Sequence, residues 1–301
     1  MRRKYMGDLT LTVVLVVMMV ILYTLQSLLC KKYTDHYPGR EDMASPVFTI
    51  VSGFTVVIIS LCFMGFRFEA QLATVLLGIL NSFVITGYNY FIVKTSQTGP
   101  YSILMVFAVA GGIIIPTITD LIGFGVGVSI GKAIAIAVVF CAVYMMSYRG
   151  SGEAPWRRGF IPACFALGLT NGVYSAILNV QQNLTGESEK EELIAITYGL
   201  AAIMSLAMLL VKERGKLSAF RQSRLSLVFL ATCSIIVGLA INVLISIIPL
   251  MDASVLFTYD NAGTLLLSVV ASCIFFKEKL TRLNVIGCGV MCVALVMVTL
   301  L

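Results

Sequence analysis

The chain has 301 residues, 59% of them hydrophobic and only 12% charged, with a mean hydropathy of +0.97 and a net charge of +6. A soluble domain averages about 45–50% apolar and about 25% charged residues, so a soluble globular fold is excluded and a polytopic membrane protein is indicated. Ten helical spans of ~20 residues would use about 200 positions, leaving short connections and no soluble domain, and the excess positive charge sits at loop ends, where it suits acidic lipid and makes no nucleic-acid stripe.

Hydropathy and breakers predict ten helices. The first covers residues 9–29 and follows the basic segment MRRKYMGD; with no small-residue cleavage site it reads as an uncleaved span. The loop KKYTDHYPGREDMASP leads to a second helix over 47–66 and a third over 72–93, closed by KTSQTGP. The fourth covers 101–121, and a glycine-rich turn, IGFGVGVS, precedes the fifth over 130–148. The linker RGSGEAPWRRG is the best internal boundary and divides the chain into units 1–150 and 151–301. The second unit carries helices over 160–181, 193–211, 225–248, 252–276 and 283–301.

A repeat runs through these units at an offset of 152 residues without a gap: Ser102 matches Ser254, Leu104 matches Leu256, Ala110-Gly111 matches Ala262-Gly263, and Met145 matches Met297. Five spans is an odd number, so the two units insert with opposite orientation. The expected fold class is an all-α membrane protein with ten transmembrane helices arranged as two inverted five-helix repeats, the plan of many secondary transporters, with a substrate site near the midplane.

The ninth span carries the residue around which the rest is organised. Asp260 lies eight residues inside it, ~12 Å down a helix axis, where a carboxylate costs ~2.5–3.5 kcal/mol or more. Such acids face a protein interior or a wet cavity. Ser254, Thr258, Asn261, Thr264, Ser268 and Ser272 recur at helical spacing and make a polar stripe that Asp260 borders. Under the repeat, Asp260 matches Ala108, Asn261 matches Val109 and Tyr259 matches Phe107, so the acid has no counterpart in the first unit. Two jobs are open to Asp260: counter-charge for a cationic or amine-bearing cargo, or a proton-coupling site. A satisfied interhelical hydrogen bond is the purely structural alternative.

Other polar groups recur on single faces. Ser82, Thr86 and Asn89 share one in the third span, with Asn81 and Tyr88 beside it; Asn171, Ser175, Asn179 and Gln182 recur in the sixth, with Tyr174 adjacent. Asp260, Asn261, Tyr259, Asn89, Tyr88, Asn171, Tyr174 and Asn179 are therefore the candidate substrate-binding residues, with Tyr23, Gln26 and Asn242 as weaker ones. Gly123, Gly127 and Gly131, and likewise Gly168 and Gly172, step by four and read as close-packing faces. Asp120 is read as an interfacial charge or as the gate partner of a basic residue, and Lys94 and Lys132 as snorkelling span ends. Asn183-Leu184-Thr185 has the pattern of a glycosylation acceptor.

The eight cysteines form no CxxC, and Cys288 with Cys292 on one helix face is not a tetrahedral site. They read as small buried hydrophobes; no metal and no cofactor is expected. There is no HExxH, no GxSxG and no Cys–His pairing, and the sole histidine, His36, falls in a loop, so no enzyme is expected.

The segment FFKEKLTRLNVIGCGVMCVALVMV resembles the close of an EamA-type domain, on Phe276, Glu278, Leu280, Thr281, Gly287 and Gly289. Length, span number and the five-plus-five plan are likewise similar to the drug/metabolite transporter superfamily. The first unit departs from the motif: IGFGVGVS stands where the first acidic turn would be. The resemblance implies transport of a small metabolite, and a central cavity lined by spans one, three, four, six, eight and nine.

Six of the twenty-one basic residues fall on the N-terminal side of the predicted spans and the rest on the other. The positive-inside rule puts the richer side in the cytoplasm and both termini outside, whereas members of the resembled family are often drawn with both termini inside. The expectation is a multi-pass protein of the plasma or inner membrane, monomer or homodimer, whose partners are a small-molecule substrate, protons and lipid. It moves an organic metabolite or cation by alternating access, with Asp260 coupling the movement to protons. The alternative is an amino acid or another zwitterionic or neutral cargo, with Asp260 structural.

Overall fold

The structure is a computed structural model that describes residues 2–98, 101–125, 127, 129–148, 158–185, 189–214, 218–275 and 281–300. Its regular elements are helical throughout the described residues. In chain order they are α1 (Arg2–His36), α2 (Glu41–Phe63), α3 (Leu72–Thr98), α4 (Tyr101–Gly123), α5 (Ile130–Ser147), α6 (Phe160–Thr185), α7 (Lys190–Lys212) and α8 (Arg224–Ile247), followed by α9 (Ala253–Thr258), α10 (Thr264–Phe275) and α11 (Arg282–Leu300). Most of the linker 149–159, and the turn carrying Phe276, Glu278 and Leu280, lie outside the described residues, as do the side chains of Ser254 and Ser272.

Six of these helices are long and apolar enough to cross a membrane, and four shorter apolar helices accompany them. Large apolar side chains such as Val13, Val17, Phe83, Phe165 and Leu169 stand exposed on the outer faces. Surface of that kind is rare on a soluble monomer and is what lipid contact requires. The chain is an all-α, multi-pass membrane protein.

Specific contacts give the helix directions. Thr49 of α2 meets Asn89 of α3, and Asp42 of α2 meets Lys212 of α7 at 3.7 Å. His36 at the end of α1 accepts from Ser223 at the start of α8. One end of the molecule thus gathers the C-terminal ends of α1, α3 and α7 with the N-terminal ends of α2 and α8. At the opposite end, Glu189 before α7 accepts from the Gln71 amide at 2.9 Å and the Thr74 hydroxyl at 2.5 Å, placing a carboxylate at the positive N-terminal end of α3. Lys31, Lys32, Arg40, Lys94, Lys212 and Arg224 belong to the first end, Arg67, Lys132 and Lys190 to the second.

Two apolar cores hold the helices. One joins α1, α2, α3, α6, α7, α8 and α9 around Met19, Phe48, Leu193 and Phe257; the other joins α4, α5, α6, α9, α10 and α11 around Leu104, Val139, Leu167 and Met291. Where α4 crosses α6, backbone meets backbone. A Cβ on Gly111 would overlap the Gly168 carbonyl, and one on Gly172 the Gly111 carbonyl. Gly168 and Gly172 thus pack as their spacing predicts. Gly127 meets nothing and Gly123 meets only its own helix, because both lie at or past the end of α4.

The start of α11 explains one residue of the quoted motif. Thr281 Oγ1 accepts from the Asn284 amide at 3.2 Å, and Asn284 Oδ1 accepts in return from the Thr281 amide at 2.8 Å, a reciprocal capping arrangement. The Asn284 Nδ2 then donates to the carbonyls of Met145, Met146 and Tyr148, tying α11 to the C-terminal end of α5.

Candidate functional site

The predicted ninth span is not one continuous α-helix. Between α9 and α10 the backbone widens into a single π turn over Tyr259–Gly263. Such bulges often mark functional sites because the extra residue redirects side chains. Here the Asn261 Nδ2 donates to the Phe257 carbonyl at 2.8 Å, within the turn where the ladder widens. Asn171 of α6 donates to Asn261 Oδ1 at 2.8 Å and to the Ala108 carbonyl of α4 at 2.9 Å. A Cβ on Gly112 would run into the Asn261 amide. The glycine crossing of α4 and α6 thus makes a flat bed for Asn261, and Asn171 pins it there.

This arrangement sets Asp260 against a cavity of about 100 Å³. Its floor is Asp260, Asn261 and Thr264 from the π turn and α10, with Ala108 of α4. From α6 come Asn171, Tyr174 and Ser175, and from α3 Ile85, Tyr88, Asn89 and Ile92. Phe48 of α2 and Tyr198 of α7 complete the walls, and α1 contributes Tyr23, Gln26 and Ser27, then Cys30, Lys31 and Thr34 towards its C-terminal end. The cavity therefore runs from mid-molecule to the lysine-rich end. The Asp260 carboxyl has no hydrogen bond or ion pair among the described residues, whereas Asn89 donates to Thr49 at 3.1 Å and the Tyr174 and Tyr198 hydroxyls meet at 3.3 Å. Gln26 Oε1 and Thr264 Oγ1 are buried without partners among the described residues.

Six of the eight sequence-predicted residues, Asp260, Asn261, Asn89, Tyr88, Asn171 and Tyr174, come together on this cavity. The other two do not line it. Tyr259 turns to α11, where its hydroxyl donates to the Leu295 carbonyl at 3.4 Å. Asn179 lies one turn beyond Ser175 on α6 and donates to Asp120. Asp120 is buried in consequence, not interfacial. Lys132 pairs with Asp252 at 3.0 Å, so it is held across helices and does not snorkel freely. Asn242 of α8 lies outside the lining; its amide donates to Ser60 and to its own Gly238 carbonyl. Helices α2 and α7 line the cavity and α8 does not, unlike the set of spans that the family resemblance implies. The Asn183-Leu184-Thr185 triplet falls inside α6, with Asn183 bonded to Asn179 one turn back.

The cavity is lined by one carboxylate, four amide side chains and four tyrosine rings. A cation gains from the carboxylate and from aromatic faces together. Among the described residues no cluster of three or more His, Cys, Asp or Glu could hold a metal.

No protein-family model matches the chain, and no curated protein matches it. In all, 29 chains of solved structures match it. One, described only as a crystal structure of protein, superposes with a TM-score of 0.71 over 97% of both chains at 14% identity. At that identity the likeness establishes the fold alone.

Proposed function

We propose that this protein is a secondary transporter with ten spans in two inverted five-helix units, moving a small organic cation or amine-bearing metabolite by alternating access. The observation that carries the reading is the Asp260 carboxyl, which lacks a bond to any described side chain while facing a cavity lined by Tyr23, Tyr88, Tyr174 and Tyr198. A buried carboxylate without a partner is unfavourable unless a cargo cation or a proton visits it. Asp260 does both jobs: cargo and proton compete for one group, and that competition is the coupling.

The packing supports the inverted plan. Exchanging the first five spans with the last five turns each principal contact into another. The α1–α8 pair becomes α6–α3, α2–α8 becomes α7–α3, and α4–α6 becomes α9/α10–α1, while α2–α7 and α5–α11 map onto themselves. Ala108 and its repeat partner Asp260 both line the cavity. The plan and the EamA-like close of the chain point to the same transporter superfamily. By the positive-inside rule the lysine-rich end, to which the cavity runs, is cytoplasmic. Ligand pockets usually measure ~300–1,000 Å³, so cargo of metabolite size needs the helices to part, as alternating access requires.

Counterflow in proteoliposomes tests this, with a panel of amines, organic cations and amino acids at two pH values. Wild-type protein moves an amine or organic cation with proton counter-movement, and Asp260→Asn loses the coupled flux. Full coupled flux in that variant would sink the proposal. A second reading has amide support: Asn89, Asn171 and Asn261 offer hydrogen bonds suited to a zwitterionic or neutral cargo, with Asp260 structural. Competition by amino acids and not by amines would favour it.

A further inference from the structure

At its second end the cavity stops, but the polar lining of its helices does not. On α3, Asn81 precedes Ile85, Tyr88 and Ile92 at helical spacing, on the face that lines the cavity. Asn81 is fully buried, and neither atom of its amide has a hydrogen-bond partner among the described residues. On α6 the stripe Asn171, Ser175, Asn179 continues past the cavity to Asp120 of α4. Just beyond, Lys132 at the start of α5 and Asp252 before α9 close the same end with a 3.0 Å ion pair that lies within electrostatic reach of Asp120. A buried amide with no partner among the described residues is expensive, and packing alone gives no reason for one.

We propose that Asn81, Ser175, Asn179 and Asp120 line the second half of the translocation path, and that the Lys132–Asp252 ion pair is the gate that closes it. The inference rests on the transport reading above and extends it. Asp120 is the second carboxyl that a cation or proton meets after Asp260, handed on when Asn179 releases it. Asn81 finds its partners in water or cargo once this end opens. The two stations differ in build: Asp260 faces a cavity without a fixed partner, whereas Asp120 is capped by an amide. A cation therefore reaches Asp120 only by displacing Asn179, which makes that bond part of the gate.

The test is accessibility, which needs no knowledge of the cargo. A cysteine is placed at Asn81 (N81C), and its labelling by a membrane-impermeant thiol reagent is timed from each side of sealed vesicles, against the parent without it. Asp252→Asn removes one half of the gate, and its side chain is 66% exposed, so no packed core is disturbed. We expect labelling from the Lys132 end to quicken several-fold in that background, and the exchanged pair K132D with D252K to restore the slow rate. An unchanged rate in Asp252→Asn, or labelling of N81C only from the Lys31 end in every background, overturns the gate. Should N81C fail to fold, Ser175→Cys replaces it, with the same two outcomes. Flux is read separately: coupled flux retained by Asp260→Asn would defeat the transport reading at Asp260, whatever the labelling says about the gate.

Discussion

The Asn171 Nδ2 stands 2.8 Å from the Asn261 Oδ1 and shares its second hydrogen with the Ala108 carbonyl at 2.9 Å. One amide of α6 thereby joins α4 to the π turn that carries Asp260. Replacing Asn171 by Ala leaves an acceptor on each neighbour unsatisfied in a half-buried place. A loss of about 1–3 kcal/mol is expected, read as a lower Tm in detergent. Unchanged stability would mean that Asn261 is held by its Gly112 bed alone.

Glycine positions should separate sharply by what faces them. Gly111→Ala pushes a methyl into the Gly168 carbonyl, and overpacking of that kind costs typically 1–3 kcal/mol, occasionally more. Gly289→Ala in α11 meets open space and should gain up to about 1 kcal/mol from helix propensity. Thermal unfolding of the two variants side by side checks the contrast.

Asp260→Asn removes a charge that no described side chain balances, so fold and function should part. We expect a Tm at or above that of the parent together with loss of proton-coupled counterflow. A large fall in Tm would instead mark Asp260 as a structural group and favour the second reading of cargo.

Tyr37, in the loop after α1, gives a pH signature outside the spans. Its hydroxyl donates to the Ala219 carbonyl at 2.9 Å. Burial, and then the nearby Glu213 and Asp42 carboxylates, push its pKa up to about 12. The raised value favours the neutral phenol in the folded state. That contribution is fully present below about pH 10, the unfolded value, and is lost as pH rises through about 12. Alkaline unfolding should therefore flatten over this window in Tyr37→Phe; an identical profile would mean that the phenol stays neutral without help from the fold.

Much of this was legible in the residues, because lipid enforces long apolar runs and makes an interior acid conspicuous. The helices fall close to where hydropathy predicts them, and Asp260, Asn171 and Asn89 meet as their helical spacing implies. The failures have local causes. Tyr259, Asp260 and Asn261 are consecutive, and three neighbours on a helix span ~200°; the π turn keeps the last two on the cavity and sends Tyr259 to α11. Asn179 shares a face with Asn171, yet the cavity ends before it because Asp120 takes its amide. Tyr198 and Phe48 carry no pattern that separates them from ordinary packing. Tyr198 becomes visible only when α7 is set beside α6, where its hydroxyl reaches Tyr174.

The bare-backbone crossing of α4 and α6 has one more consequence. Main chain against main chain has no rotamers with which to yield, so these two helices are obliged to travel together. Under the proposed repeat the corresponding seam is that of α1 with the π turn before α10, and it is built differently: at Gly263 the nearest neighbours are the methyl groups of Val20. Side-chain methyls can slip past one another where carbonyls cannot, so the two joints are unequal in stiffness, and the softer one lies within a turn of the acid.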